Sequence, residues 1–459
     1  MKNTILLIAA IFVISVQYGC KKLIEPTPPN TQIVGPETFK DSASIQQNLA
    51  GMYILFISNS PYTAPVSIYP GMSADELLYF GNGNTSYNGM INNAIPSSDD
   101  NVNSLWTNNY GIIYVANDII AGVSNAGSGA VSTNFKDQAI GEARFLRAMC
   151  YFYLTNYFGD VPLLTTTDVR TNAVAPRTPA EQVYAQIIED LQFAESHLPA
   201  TYELTGNERT RATRWAAKAL LARVYLYRQQ WQDAEREATE VIGNALFSLP
   251  NNLNQVFTSS SQEAILQFYN DLNGYTDYAA TVLPNPVAQV PVFYMTPELV
   301  DAFEAGDKRK TAWTTSLDYN GAVYTYPYKY KSLSSGANTE YYTVLRLAEQ
   351  YLIRAEANAQ QDKLSDAKSD VDTIRSRAGL PGTTAVTQAE LLTAIAQENR
   401  IEFNCEWGHR WFDLRRTNKA DEILGALKPG TWKATAVLYP IPQTQTRLNN
   451  HLTQNEGYQ

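Results

Sequence analysis

The run Arg214-Trp-Ala-Ala-Lys-Ala-Leu-Leu-Ala-Arg-Val-Tyr-Leu-Tyr-Arg228, followed after Gln229-Gln230 by Trp231 to Ile242, decides the fold. Ala216, Ala219 and Ala222 recur one helical turn apart, and Ala234 answers them on the second segment, so two helices can approach closely. Leu345 to Gln360 followed by Leu364 to Ala378 repeats the layout, with Ala348, Ala355, Ala359 and Ala367 as the small residues. Each first helix carries a tyrosine near its centre, Tyr225 and Tyr351. A helix pair of this kind cannot bury its apolar face alone and stacks on its neighbours, which is the plan of a tetratricopeptide hairpin. The connecting lengths vary, which argues against a long regular array.

Helical periodicity extends to both sides of these pairs. Glu37 to Phe56, Ser104 to Val123 and Phe135 to Phe158 each carry an apolar stripe, and Gly159-Asp-Val-Pro162 stops the third. Thr178-Pro179-Ala180-Glu181 predicts the start of another helix, running to His197, with Thr178 as its N-cap. Asp75 to Asp100 and Pro250 to Asn338 break the pattern. They are rich in Tyr, Asn, Ser, Thr and Pro, with alternating pieces such as Ala264 to Phe268 and Ala322 to Tyr324. The expected fold class is therefore mostly α: a tetratricopeptide-like helix-hairpin scaffold with long loop-rich excursions and a few short strands. Loops held on such a frame are where binding residues sit.

The first residues read as export signals. Met1-Lys2, the apolar run Ile5 to Val16 and the break at Gly19-Cys20 predict a lipoprotein signal peptide over 1–19, with acylation of Cys20. Residues 20–36, with Pro26, Pro28, Pro29 and Pro36, read as an extended tether. The formal charge of −10 and pI near 5.0 argue against a nucleic-acid partner and against anionic lipid as a direct ligand. The other two cysteines, Cys150 and Cys405, lie inside helical patterns and read as small buried hydrophobes.

No catalytic constellation is expected. Glu398, Glu402 and Glu406 are spaced four apart, but Arg400, Arg410, Arg415 and Arg416 stand close by, so a charge-paired packing network is the simpler account. The histidines 197, 409 and 451 are scattered, and no zinc or phosphate-loop motif is present. No cofactor or metal is expected from these motifs, although a structural Ca²⁺ held by loop oxygens needs no fixed spacing and stays open. Binding has better material, with 29 Tyr, 16 Phe and 7 Trp, many of the tyrosines in the loop regions. Sugar rings pack their C–H faces on aromatic planes while their hydroxyls need Asn and Asp partners. Asp75, Tyr79, Phe80, Asn82 and Asn84 form the first candidate ligand-binding set. Asn270, Tyr275 and Tyr278 form the second, and Phe293 and Tyr294 the third. Trp106, Trp215, Trp231 and Trp411 read as core, Trp313 and Tyr319 are left as loop residues, and Tyr324 to Tyr330 alternates its tyrosines along one face.

Glu142-Ala-Arg-Phe-Leu-Arg-Ala148, Tyr157-Phe-Gly-Asp-Val-Pro-Leu163, Leu345 to Ala357 and Arg375-Ser-Arg-Ala-Gly-Leu380 resemble the SusD/RagB family. The block Asn399 to Phe403 with Glu406 to Arg416 looks like the family's late helix, and Leu438-Tyr-Pro-Ile-Pro442 with Gln454 to Tyr458 like its ending. The blocks stand in the family's order, although Glu398-Asn399-Arg400 departs from the Glu-Arg of many relatives. The resemblance implies a single SusD-like binding domain over 37–459, without enzymatic activity. Ligand-facing aromatics follow a comparable Asp-Glu pair in that family, as Tyr79 and Phe80 follow Asp75-Glu76 here. It also implies capture of an oligosaccharide, or in some relatives a peptide, for a partner SusC-like TonB-dependent transporter. The setting would be the outer membrane, with the lipid anchor on Cys20 and the body facing the cell surface, although Lys21-Lys22 replace the acidic residues usual after that cysteine. A secreted helical hydrolase and a pure protein scaffold stand as alternatives.

Overall fold

The computed structural model describes residues 38–58, 61–81, 83–127, 131–270, 273–284, 290–336 and 338–458. The expected signal peptide, Cys20, the tether and Asn82 lie outside the described residues. The frame is helical: α1 (Ser42–Ile57), α2 (Pro65–Ser73), α3 (Thr85–Ile91), α4 (Asp100–Asn125), α5 (Thr133–Phe158), α6 (Ala180–His197), α7 (Arg214–Tyr227) and α8 (Trp231–Ile242). Within the long excursion lies α9 (Asp277–Val282), and after it come α10 (Leu347–Gln360), α11 (Leu364–Arg377), α12 (Gln388–Glu402) and α13 (His409–Arg416). From α4 to α8 each helix packs on the next, and the stack resumes as α8 packs on α10 across the whole excursion, then α10 on α11 and α11 on α12. This is the tetratricopeptide-like stack expected. Ala216, Ala219, Ala222, Ala234, Ala348, Ala355, Ala359 and Ala367 are all fully buried at its seams. Among the described residues no helix is long and apolar enough to cross a membrane.

Helix boundaries follow capping chemistry more closely than the apolar stripes suggest. Asp41, Asp99 and Ser132 cap α1, α4 and α5 by accepting the amides of Ser44, Val102 and Phe135, so α1 starts later than Glu37 and the other two start earlier than expected. Thr178 does not cap α6. Its backbone pairs with Val161 in an isolated bridge, and Asp160 supplies the cap from a distance, its Oδ1 accepting from the Ala180 amide at 2.8 Å. Gly159, at φ +75°, ends α5 as expected.

The excursions hold three two-stranded antiparallel sheets: β1 (Leu77–Tyr79) with β3 (Phe293–Met295), β2 (Ala264–Phe268) with β6 (Tyr342–Arg346), and β4 (Thr314–Tyr319) with β5 (Ala322–Pro327). Strand β6 takes Leu345 and Arg346 from the expected helix, so α10 begins at Leu347. Trp313, left as a loop residue in the sequence reading, is fully buried, and its Nε1 donates to the Leu253 carbonyl at 3.1 Å. Cys150 and Cys405 are free, buried thiols, but Cys405 sits in a turn at φ +52°, not in a helix.

That turn breaks the expected late helix. α12 ends at Glu402, Trp407 and Gly408 have positive φ, and α13 starts at His409, which stacks on Phe403 with ring centroids 4.4 Å apart. Glu398 and Glu402 therefore share a helix while Glu406 projects from the turn, and all three point into one buried ion cluster. Arg346 Nη1 lies 2.6 Å from Glu402 Oε1 and 2.9 Å from Glu263 Oε1, and its Nε lies 2.8 Å from Glu406 Oε1. Arg309 bridges Asp307, Glu398 and Glu402 at 2.8, 2.9 and 3.1 Å, Arg377 holds Glu263 and Glu402, and Lys329 Nζ reaches Glu406 at 2.8 Å. Burial works against the Glu402 carboxylate, but the surrounding guanidiniums overcome it and hold its pKa well below the usual range.

Two outcomes follow. Arg346→Met removes the buried guanidinium shared by Glu263, Glu402 and Glu406 and leaves four carboxylates to fewer cations, so it should lower unfolding free energy by about 3–5 kcal/mol in chemical denaturation, and Arg346→Lys should not recover it because one ammonium cannot match the fork. Glu76 behaves oppositely: burial pushes its carboxyl up to about 8, while its Oε1 accepts the Cys405 amide at 2.8 Å. A raised carboxyl binds a proton in the folded state that the unfolded chain has lost. Its contribution is therefore complete below the ordinary carboxyl value of 4.5 and is lost as pH rises through about 8. The melting temperature of Glu76→Gln should gain on the wild type between about pH 5 and about pH 9; a difference independent of pH would show that Glu76 is ionised throughout.

Candidate functional site

The Asp75-Glu76 pair divides the chain between frame and surface. After α2 stops at Ser73, Asp75 turns inward, and Arg410 grips it with Nε at 2.7 Å and Nη2 at 2.9 Å, while Arg400 Nη2 lies at 2.8 Å. Burial would raise its carboxyl, and the two guanidiniums outweigh this and hold it below its ordinary value. Asp75 is 3% exposed, so its placement corrects its reading as a ligand contact. The carboxylate instead anchors the start of β1 to α13.

β1 then pairs with β3 in the register Leu77 to Met295, Leu78 to Tyr294 and Tyr79 to Phe293, and the Phe80 amide extends the ladder to the Val292 carbonyl at 2.9 Å. Strand alternation separates two rows. Tyr79 and Phe293 face inward onto Tyr87 of α3, with centroids 5.0 and 5.3 Å from it. Asn84 caps that helix, accepting the Tyr87 amide at 3.0 Å. Gly81 is required here, because a Cβ would collide with the Tyr79 ring. Phe293 is 2% exposed and belongs to the packing beneath the surface, contrary to its expected ligand contact, while Asn84 is half-buried with its Oδ1 engaged in the cap. Tyr79 is half-buried, its ring set between Tyr87 and Phe293.

The outward row is Leu78, Phe80, Val292 and Tyr294, and the β4–β5 hairpin lies beside it. Phe80 meets Tyr324 edge-on at 5.3 Å and Tyr319 at 5.8 Å, and Tyr294 meets Tyr324 at 5.1 Å. Phe80 stays 37% exposed and Val292 43%, while Tyr294, Tyr319 and Tyr324 are half-buried. On the other face of the hairpin Ser316 and Thr325 share a hydrogen bond of 2.8 Å, and at its turn Asp318 Oδ1 accepts the Gly321 amide at 3.0 Å. The result is a shallow aromatic platform built from three chain segments. It joins Phe80 and Tyr294 from the candidate sets with Tyr324, the first of the alternating tyrosines, and with Tyr319, which the sequence places in a loop. Their signal was present in Asp318-Tyr-Asn-Gly321, a hairpin turn in which Asn320 and Gly321 both take positive φ.

The second candidate set lies together elsewhere. Asn270, Tyr275 and Tyr278 line a cleft of about 250 Å³ between the end of α1, the end of β2 and the start of α9. Tyr278 forms its floor, fully buried, with its hydroxyl donating to the Cys405 carbonyl at 2.9 Å. Asn270 is buried and donates to the Glu340 carbonyl. A larger groove of about 770 Å³ runs along the helix stack beside Trp231, Leu392 and Ile423, where Arg416 is paired to Glu356 at 2.6 Å. Among the described residues no group of three or more His, Cys, Asp or Glu side chains is placed to hold a metal ion.

Comparison with known proteins matches residues 25–226 to a family described as starch-binding associating with outer membrane, and residues 308–458 to the SusD family. SusD-like protein P2 of Formosa agariphila is 29% identical, over 96% of this chain and 97% of its own length. The starch-binding protein SusD of Bacteroides thetaiotaomicron is 25% identical over 69% of this chain and 72% of its own. Among solved structures, a laminarin-binding SusD-like protein superposes with a TM-score of 0.77 at 25% identity, covering 92% of this chain and all of that one. The helical stack, the order of the sequence blocks and these matches together show that the chain belongs to the SusD/RagB family.

Proposed function

We propose that this chain is a non-catalytic glycan-binding lipoprotein of the outer membrane, anchored at Cys20 and facing the cell surface. It captures an oligosaccharide for a SusC-like TonB-dependent transporter. The observation that carries this reading is the outward row of Phe80 and Tyr294 with Tyr319 and Tyr324 beside it, aromatic rings left half-open to solvent on a rigid frame. Apolar ring faces that carry the hydroxyls of Tyr294, Tyr319 and Tyr324 suit the C–H patches and hydroxyls of a neutral sugar. Relatives named for starch and laminarin binding support the same ligand class. A shallow platform holds a chain-like ligand without enclosing it, which suits hand-over to a partner. The buried pairing of Glu398, Glu402 and Glu406 with arginines supports binding without catalysis, since a hydrolytic pair must flank an open cleft.

The test is calorimetric titration of the chain with panels of oligosaccharides and peptides, with reducing-end release followed in parallel. Glycan binding without release is the expected result. Peptide capture alone would overturn the ligand class, and glycan cleavage lost in Glu402→Gln would overturn the function. Phe80→Ala should weaken glycan binding about tenfold with the melting temperature nearly unchanged, because an exposed ring contributes contact more than core. Tyr79→Ala should instead destabilise the fold by about 2–4 kcal/mol, because its ring is packed between Tyr87 and Phe293.

A further inference from the structure

The cleft beneath Tyr269 differs in chemistry from the platform. Four of its rings, Tyr62, Phe268, Tyr278 and Tyr342, are buried at its base. The three tyrosine hydroxyls there are already engaged: Tyr278 on the Cys405 carbonyl, Tyr342 with Ser67 Oγ at 2.9 Å, and Tyr62 on Asn109 Oδ1. The base therefore offers ring surface and few polar atoms. Tyr269, 39% exposed, and the half-buried Tyr275 contribute rings nearer the solvent.

Ser58, Thr63 and Asn273 line the cleft with neutral polar groups, and Asp277, exposed at the start of α9, is the one charged residue among the described residues that line it. Its Oδ2 accepts the Ala64 amide at a long 3.4 Å, and a carboxylate has further lone pairs for a ligand. The Asn270 amide donates into the protein, toward the Glu340 carbonyl, which leaves its carbonyl oxygen as the stronger feature on the other side. Aromatic faces are electrically negative, and a carboxylate beside them adds a full negative charge. A group that only donates and carries positive charge fits both. A neutral hydroxyl gains less from the rings, and a carboxylate or sulfate is repelled.

We propose that this cleft binds a protonated primary amine, presented as an amino sugar of the bound oligosaccharide. The inference rests on the glycan-binding reading for its source of amine, and α9 supplies the structural link, since it carries Asp277 and packs against β3 of the platform. The cleft volume of about 250 Å³ is enough for one sugar unit but not for a folded peptide.

The experiment titrates the full chain with glucosamine hexamer, with the matched N-acetylglucosamine hexamer and with trilysine, at an acidic pH that keeps the sugar amine protonated. The glucosamine hexamer should bind about tenfold more tightly than its acetylated counterpart, and Asp277→Asn should erase that preference. Tyr269→Ala, altering a partly exposed ring, should reduce it as well. Equal affinity for the two hexamers, or a preference untouched by Asp277→Asn, overturns the proposal. Binding of trilysine without the glucosamine hexamer overturns the carbohydrate source. Neutral-glycan binding that Phe80→Ala weakens, measured alongside, keeps the platform reading standing if the amine preference fails. Absence of all oligosaccharide binding strikes the platform reading first.

Discussion

The structure hangs on a buried ion cluster in which Arg346, Arg309 and Arg377 share the carboxylates of Glu263, Glu398, Glu402 and Glu406. Each guanidinium is nearly devoid of solvent, so every charge must be met inside the protein. The members come from the short helix Lys308–Trp313, β6, the end of α11, the second half of α12, the turn that follows and the strand entrance at Glu263. Satisfying them together forces those segments into one arrangement. A core of leucines and alanines alone tolerates sliding. Fork-to-carboxylate geometry does not.

From that cluster, position is transmitted to the surface in short steps. Glu406 fixes the turn after α12, whose left-handed residues Cys405, Trp407 and Gly408 reverse the chain into α13. α13 brings Arg410 onto Asp75, while the Cys405 amide holds Glu76. The two acids thereby pin the first residue of β1, and β1 sets the register of β3. A slip of β1 by one residue would turn Phe80 inward and Tyr79 outward. The platform rings are thus oriented by a buried carboxylate–arginine contact.

The division of labour between rigid frame and open loops accords with the proposed binding without chemistry. The carboxylates of Glu398, Glu402 and Glu406 are locked in ion pairs within the core. What remains accessible is ring surface, hydroxyls and a few amides, a set suited to recognising extended, weakly polar chains. The smaller cleft at Asp277 adds charge to that set at one place, which would let one frame distinguish sugar units by their nitrogen.

The sequence by itself determined the helical stack, because period and small-residue spacing are local properties that survive any choice of neighbours. Ala216, Ala219, Ala222 and Ala234 announce a close helix contact wherever the chain goes. The acidic spacing of Glu398, Glu402 and Glu406 among arginines was likewise legible as pairing, though not the break at Glu402 that sends Glu406 out on a turn. Only the tertiary structure decided which aromatic residues face solvent. Tyr79 and Phe80 are adjacent aromatic residues, and one ring is directed onto Tyr87 while the other faces the β4–β5 hairpin. Tyr319 and Tyr324 join them from far along the chain through a hairpin whose partner strand the residue pattern did not announce. The physical reason is that strand alternation assigns the two faces but not which face is buried. That choice is made by Arg410 on Asp75 and by Tyr87 under β1, contacts hundreds of residues apart in one case and set by a helix cap in the other.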